Sequence, residues 1–495
     1  MDPVCPKLQR LPQPLRIPKF INLIFRPRVA LSATSRLWCH WLGNTMNPLE
    51  TIFTNTWNRM AMTRSPKLKG GLPLGHLVFD GRVTRNLYLL PTSIRTQHMD
   101  IRGKTGVGKT SFIRSIVQHD VDAGRGFLLI DQHGDLIPQV LSYIAARRPR
   151  DFDRVVVIDP GSRQWAVGLN PLETEDEYTR FREVAEVTRS LADRWDFKGA
   201  RTEELLRNAL FALSANGLTI LETALFLSND SYRQELISRV ANQDVREYFD
   251  LRFEPLSDAM KATMREPALN KLSEFTADPH FRYILGQCRS TVSIDEVLAR
   301  GMIVLVNLNK GQLGVHAVTF GNLLVAKFKA AIFRRRTRGL FTVFADEMQN
   351  LAAADTDFET LFAEARKFST GLVTASQFGN QVPQTMRSAV QAIATRVFFQ
   401  LSPEDAAQVA QEIDGGKQMA DRLRNLPPRH AIVKSGHHAA HEIVIPDVPT
   451  VNAPFADFLA RSNQIHARLK SDIDSDIRLR RPTADASKEA IRDWE

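Results

Sequence analysis

The sequence predicts an α/β fold: a mostly parallel sheet covered by helices and interrupted by an all-helical insertion. Three observations predict it. From residue 126 onward, apolar runs of strand length alternate with helical stretches, the order of strand–helix–strand crossovers. Several of those runs are continuously apolar and end in Asp, Asn or Ser. Such runs suit strands buried on both faces, with polar ends at the carboxyl edge where open α/β sheets bind ligands. Between about 175 and 280 the period becomes helical and no strand run occurs.

In chain order, residues 1–75 read as a basic, irregular extension rich in proline and arginine. Short β-like runs follow at His76–Phe79 and Asn86–Leu90, with a weaker one at His98–Ile101 that Asp100 interrupts. The main strand candidates are Gly126–Asp131, Arg154–Asp159, Met302–Asn307, Leu340–Asp346, Thr370–Ser376 and Thr395–Leu401. Inside the insertion, Tyr178, Phe181, Val184, Val187, Leu191 and Trp195 recur at helical spacing. Leu205, Leu206, Ala209, Leu210 and Leu213 do so again. Ser402, Pro403 and Asp405 have the N-cap, N1 and N3 chemistry of a helix start. His430–Lys434 and His441–Ile445 finish the sheet. The α/β domain thus comes in two parts, 76–174 and 281–450, around an insertion at 175–280, with a polar C-terminal tail at 451–495.

Composition narrows the function classes. A chain of 495 residues is too long for one compact core and suggests two or three domains. No run of eighteen apolar residues occurs, so no membrane-spanning helix is expected, and nothing near the N-terminus has a signal-peptide pattern. Cys5, Cys39 and Cys288 are too few for a disulfide framework or a four-ligand zinc site and read as reduced thiols of a cytoplasmic protein. The net charge of +10 suits a partner carrying phosphates, either nucleic acid or an anionic membrane surface. Residues 1–45 alone carry +6. They are a solvated arm, an arm that touches DNA or lipid headgroups, or a stretch upstream of a translation start at Met46 or Met60.

The chemistry is concentrated in a few motifs. Gly103-Lys104-Thr105-Gly106-Val107-Gly108-Lys109-Thr110 matches the P-loop pattern in full and is followed by Ser111 and a helical stretch. The glycines let successive backbone N–H groups cradle phosphate oxygens, Lys109 reaches the β- and γ-phosphates of ATP, and the Thr110 hydroxyl ligates Mg²⁺. The run Phe341–Ala345 delivers Asp346 to the sheet edge as a second Mg²⁺ contact, with Glu347 beside it as general base for the attacking water. At the tip of the next strand, Gln377 is placed to meet the γ-phosphate or that water. Arg366 is the first choice for a cation donated to a neighbouring subunit's site, with Arg387 and Arg396 behind it. His133 in Asp131–Asp135 and the group His437, His438, His441 fit solvated turns better than metal sites. Arg334–Arg336 and Arg338 end a helix, where cations favour the dipole.

These residues resemble the TraD/TraG-type coupling ATPases of conjugative type IV secretion, within the wider HerA/FtsK group. The resemblance spans about residues 76 to 450. It rests on Gly103–Ser111, Asp131–Leu136, Val167–Leu172, Phe344–Asn350, Glu364–Lys367 and Ala375–Gln377. It implies a RecA-like ATPase core of the additional-strand type, a hexameric ring with ATP sites between subunits, and a pore that passes DNA. It also implies that the helical insertion docks relaxosome or secretion-channel proteins. Gln132 stands where the family usually has proline, and the membrane-spanning N-terminal segment of typical members is missing from the pattern. A cytoplasmic protein with peripheral contact at the inner membrane is the corresponding expectation. The expected function is an ATP-driven DNA translocase. The alternatives are a HerA-like translocase in DNA processing, a secretion ATPase that moves protein, and an ATP-binding scaffold without turnover.

Overall fold

The apolar runs become strands because each is buried on both sides, which leaves backbone pairing as the way to satisfy their peptide groups. The computed structural model describes residues 71–480 apart from 175, 196–199, 348–355, 378–391 and 449. At 193–195, 274 and 356–359 it describes the backbone alone. The extension up to residue 70, the Trp195 side chain, Met348–Asn350, Arg387 and residues 481–495 therefore lie outside the described residues.

The strands are β1 Leu72–Phe79, β2 Arg82–Leu90, β3 Met99–Arg102, β4 Phe127–Asp131, β5 Val155–Ile158, β6 Trp165–Ala166, β7 Ile303–Asn307, β8 Phe341–Ala345, β9 Thr370–Ser376, β10 Thr395–Phe398, β11 His430–Ser435, β12 His441–Val444 and β13 Arg468–Leu469. The helices that matter below are α1 Lys109–Asp122, α2 Leu136–Arg147, α3 Glu177–Trp195, α4 Ala200–Ala215, α5 His316–Arg334, α6 Pro403–Glu412, α7 Ala456–His466 and α8 Lys470–Leu479. The 11-stranded sheet has the order β2-β1-β12-β11-β10-β3-β9-β8-β4-β7-β5. Neighbours from β10 to β5 are parallel, and those from β2 to β10 are antiparallel.

The two faces of the parallel part separate residue by residue. Leu128, Ile130, Val156, Ile158, Val304 and Val306 pack with α5 and the helical region. Phe127, Leu129, Val155, Val157, Ile303 and Leu305 pack with α1 and α2. Alternation of side chains along each strand divides them in this way, and both faces are apolar because both are covered. Asp100, which interrupts β3, is buried, and its carboxylate accepts a hydrogen bond from Arg102 Nε at 2.6 Å. Two residues apart on one strand, the pair shares a face, so a polar strand is tolerated where a lone charge would not be.

The stretch from Glu177 to Leu285 is helical throughout its described part. Leu205, Leu206, Ala209, Leu210 and Leu213 are fully buried, as are Val184, Val187 and Leu191. The first two residues of the α3 pattern differ: Tyr178 is 95% exposed and Phe181 60% exposed. Phe181 meets Phe211 of α4 only edge-on, so the apolar face becomes core from Val184 onward. The Glu183 side chain of α3 is buried and held by Lys327 and Arg334 of α5, which fastens the helical region to the sheet-covering helix through charge.

Two boundaries differ from the sequence reading. β1 begins at Leu72, inside the expected extension, because Leu72 and Leu74 are core residues. Residues 451–480, expected as part of a polar tail, are instead packed on the rest of the fold. Ser462 Oγ donates to the Val155 carbonyl, His466 bonds the Asp153 carbonyl, and β13 pairs with β6. Ile473 and Ile477 of α8 enter the core shared with the helical region. Each of these short helices buries only a narrow stripe, too few apolar residues to show as a period. Among the described residues, no helix is long and apolar enough to cross a membrane.

Two predictions follow from buried polar groups. Asp120 of α1 is completely buried and binds Arg95 through both oxygens at 2.6 Å, while Arg95 also donates to Thr342 of β8. Asp120→Ala leaves the Arg95 charge uncompensated and is expected to cost about 3–5 kcal/mol in urea unfolding. A loss under about 1 kcal/mol would show that the pair is not needed. His98 is buried, donates from Nε2 to the Phe362 carbonyl and accepts from the Leu372 N–H at Nδ1. Burial lowers its pKa to about 4. Because the folded value lies below the ordinary one, its contribution is complete above about pH 6.5 and is lost as pH falls toward 4. The melting temperature of His98→Gln should therefore vary less than that of the parent between about pH 7 and pH 5.

Candidate nucleotide site

The site is built where β3, β9 and β8 end side by side. β3 pairs with β9 through Met99–Arg102 and Val373–Ser376, and β9 pairs with β8 through Thr370–Thr374 and Phe341–Ala345. All three run in one direction, so the loop after β3, Gln377 after β9, and Asp346 and Glu347 after β8 reach the same edge.

The loop Gly103–Gly108 turns back into α1 through two left-handed glycines, Gly106 and Gly108, with φ of 80° and 112°. Neither position suits a side chain. Gly103 has a different reason: a Cβ there would lie 2.6 Å from Phe399 Cβ. Lys109 opens α1 and is buried, its ammonium donating to the carbonyls of Gly103 and Lys104 at 2.6 and 2.9 Å. Burial pushes its pKa down, opposed by the charges of Glu347 and then Asp346. Lys104, Thr105 and Val107 complete the loop, and Thr110 and Ser111 are exposed in the first turn of α1.

Thr110 Oγ1 donates to Asp346 Oδ2 at 3.3 Å. Asp346 is buried, and its pKa is raised first by burial and then by Glu347 and Asp131. The Glu347 N–H donates to Asp346 Oδ1 at 3.0 Å. Glu347 has φ of 54°, in the left-handed region that few residues other than glycine enter. Its carboxylate accepts from Gln377 Nε2 at 2.9 Å, and Gln377 Oε1 accepts from Thr105 Oγ1 at 3.1 Å. One hydrogen-bonded chain thus runs from the loop through Gln377 to Glu347. The structure brings together Gly103–Ser111, Asp346, Glu347 and Gln377 within one chain.

It does not bring Arg366 to them. Arg366 is exposed in a short turn, Ala365–Phe368, that precedes β9, near His98 at the opposite edge of the sheet. The length of β9, at about 3.3 Å per residue, separates Arg366 from Gln377 by roughly 20 Å. Arg396 is half-buried and paired with Glu412 at 3.0 Å. Asp131 is occupied locally: its two oxygens accept from the N–H groups of His133, Gly134, Leu136 and Ile137, which caps α2. His133 is exposed close to Asp346. His437 and His438 lie in the turn between β11 and β12, and His441 packs against Tyr88. Arg334 pairs with Glu183 and Asp295 rather than only ending its helix.

Two residues at the site were given no role by the sequence. Gln132 Nε2 donates to the Glu347 carbonyl at 3.2 Å. Arg429, with φ of 69°, donates its N–H to the Val107 carbonyl at 3.1 Å and braces the loop from the far side. Gln132 lies within Asp131–Leu136 and Arg429 in no motif, and each acts through contacts between segments distant in sequence.

Residues 72–270 match the family described as "Helicase HerA, central domain". The match includes the P-loop and most of the helical region but ends before Asp346, Glu347 and Gln377. Similar solved structures share the P-loop ATPase fold. The bacterial conjugative coupling protein TrwB, in an unbound form, aligns at 14% identity with a TM-score of 0.58, over 81% of this chain and 94% of its own. TrwB in complex with ADP and Mg²⁺ aligns at 15% identity and TM-score 0.58, over 77% and 96%. VirB4 of Thermoanaerobacter pseudethanolicus aligns at 13% identity and TM-score 0.54, over 77% and 97%. No curated protein matches the sequence. In the sheet, β9 lies between the P-loop strand β3 and the acidic strand β8. This is the additional strand, and it is what puts Gln377 between Thr105 and Glu347.

Proposed function

We propose that the chain hydrolyses ATP and uses the energy to move DNA through a hexameric ring, in conjugative transfer by a type IV secretion system. The observation that carries the reading is the convergence of Lys109, Thr110, Asp346, Glu347 and Gln377 at one sheet edge, with Glu347 held by Gln377. A passive nucleotide switch does not need two adjacent carboxylates there.

The residues fit ATP and Mg²⁺. The left-handed glycines leave the loop N–H groups open to phosphate oxygens, and the α1 N-terminus faces the same anion. The Lys109 ammonium, bonded to loop carbonyls, can turn to the β- and γ-phosphates. Thr110 and Asp346 offer paired hard oxygens at 3.3 Å and would hold Mg²⁺. When bound, the ion neutralises charge on the phosphate oxygens. Glu347 accepts the proton of the attacking water, and Gln377 donates from its amide to the γ-phosphate or to that water. Arg366, remote from its own site and exposed, would serve a neighbour's site.

Cargo and assembly rest on further support. The +10 charge favours a phosphate-bearing partner. The fold likeness to a conjugative coupling protein and to VirB4 favours conjugation. The helical region from Glu177 is the surface offered to relaxosome or secretion-channel proteins. A cytoplasmic chain that meets the inner membrane peripherally, through its basic first 45 residues, completes the reading.

ATP turnover measured with and without single- and double-stranded DNA tests it. Turnover stimulated by DNA is expected, and absence of any turnover would sink the motor reading. Lys109→Ala should abolish turnover, and Glu347→Gln should retain ATP binding while stopping hydrolysis. Arg366→Ala should retain binding and reduce turnover by roughly 10³–10⁵. Mixing it with Glu347→Gln should restore some activity, because one interface then pairs an intact Glu347 with an intact Arg366. DNA affinity should fall steeply with salt, and removing residues 1–45 should reduce both affinity and salt slope.

A further inference from the structure

We propose that Gln132 is a positioning residue for Glu347, holding the backbone of the general base in its left-handed conformation. The inference rests on the hydrolytic reading above. Glu347 is buried with φ of 54°, a conformation that a non-glycine residue keeps only when its surroundings hold it. Two bonds do so, one on each peptide group. Asp346 Oδ1 accepts the Glu347 N–H at 3.0 Å, and Gln132 Nε2 donates to the Glu347 carbonyl at 3.2 Å. The orientation of the Gln132 amide is fixed by chemistry, since a carbonyl can only accept and the group facing it must be the NH₂.

Gln132 is itself rigidly set. It is 2% exposed, and its own carbonyl accepts the Lys310 N–H at 3.1 Å. On either side, Asp131 binds the N–H groups of His133 and Gly134, which fixes the loop after β4. The donor comes from the end of β4, the strand that pairs with β8 on the side away from β9. Among the described residues, Gln132 Oε1 has no hydrogen-bond partner, so the bond to the Glu347 carbonyl is the described contact of this amide.

The test separates positioning from folding and from ATP binding. Gln132→Met keeps the shape and removes the donor, and Gln132→Asn keeps the amide but withdraws it by one methylene. Both are expected to lower kcat by about tenfold, the rate equivalent of one net hydrogen bond. The dissociation constant for a fluorescent ATP analogue and the melting temperature should stay near the parental values. Parental kcat in both variants would overturn the proposal, as would a loss of ATP affinity as large as the loss of kcat. A variant that unfolds is replaced in the comparison by the other. Should the parent itself not hydrolyse ATP, the hydrolytic reading fails first. A parent that does hydrolyse, with unaffected variants, leaves that reading standing and removes Gln132 alone.

Discussion

The position of β9 between β3 and β8 is the constraint on which the site depends. Three parallel strands in contact end at one edge, so a phosphate-cradling loop, a glutamine and two acids are brought together without any of their segments being close in sequence. The register fixes the levels: Arg102 lies beside Ser376, and Ala345 beside Thr374. A one-residue slip of β9 would turn Gln377 to the other face of the sheet and break its bonds to Thr105 and Glu347. The apolar alternation toward two separate cores is what forbids that slip, since Leu372 belongs to one core and Val373 to the other. Packing on both faces thus sets the geometry of the polar edge.

Buried charge is arranged around this constraint in a consistent way. The sheet carries Asp100 and Arg102 as a self-contained pair on β3, and α1 is tied to β8 through Asp120, Arg95 and Thr342. Such pairs contribute little net stability, because desolvation offsets most of the attraction, yet removing one partner is costly. Their effect here is to fix α1 against β8, and therefore Thr110 against Asp346. Asp346 shows the opposite arrangement. Its neighbours include Glu347 and Asp131, and burial with like charge raises its pKa. A group of carboxylates that is uncomfortable alone is suited to a cation, and the P-loop lysine supplies only part of the compensation.

Much of this was legible in the sequence, for physical reasons that also explain what was not. Strands such as Phe127–Asp131 and Ile303–Asn307 are buried on both faces, so their continuous apolar runs stand out against the helices. Ser402, Pro403 and Asp405 act locally, and the Ser402 side chain caps α6 as its chemistry suggests. P-loop residues are likewise contiguous and therefore visible. Roles that come from tertiary contact were not legible: Gln132 and Arg429 meet the site from segments far away in sequence. The segment 451–480 was misjudged because each of its helices buries only a few residues, among them the polar Ser462 and His466, whose hydrogen bonds to backbone carbonyls leave no hydrophobic signature. Tyr178 and Phe181 show the reverse error, since periodicity marks a face as apolar without saying whether anything covers it.

The opposed placement of Arg366 and Glu347 bears on assembly. Arg366 precedes β9 and Glu347 follows β8, at opposite edges of the sheet, so within one chain the arginine is held away from the phosphates by the strand that brings Gln377 toward them. An arginine in that place completes a site only if a second subunit turns its opposite edge toward the first subunit's nucleotide edge. Contacts that join unlike surfaces are heterologous, and repeated with a closing rotation they generate a ring rather than a dimer. The proposed hexamer is compatible with this polarity of the sheet. In such a ring, nucleotide state would be sensed on both sides of each interface: on one side by the Thr105–Gln377–Glu347 chain, on the other by the turn that carries Arg366. Because that turn leads directly into β9, a shift of Arg366 toward a neighbour's nucleotide pulls on the same strand that positions Gln377 at the next site. The additional strand is thereby the element through which one site would report its state to the next.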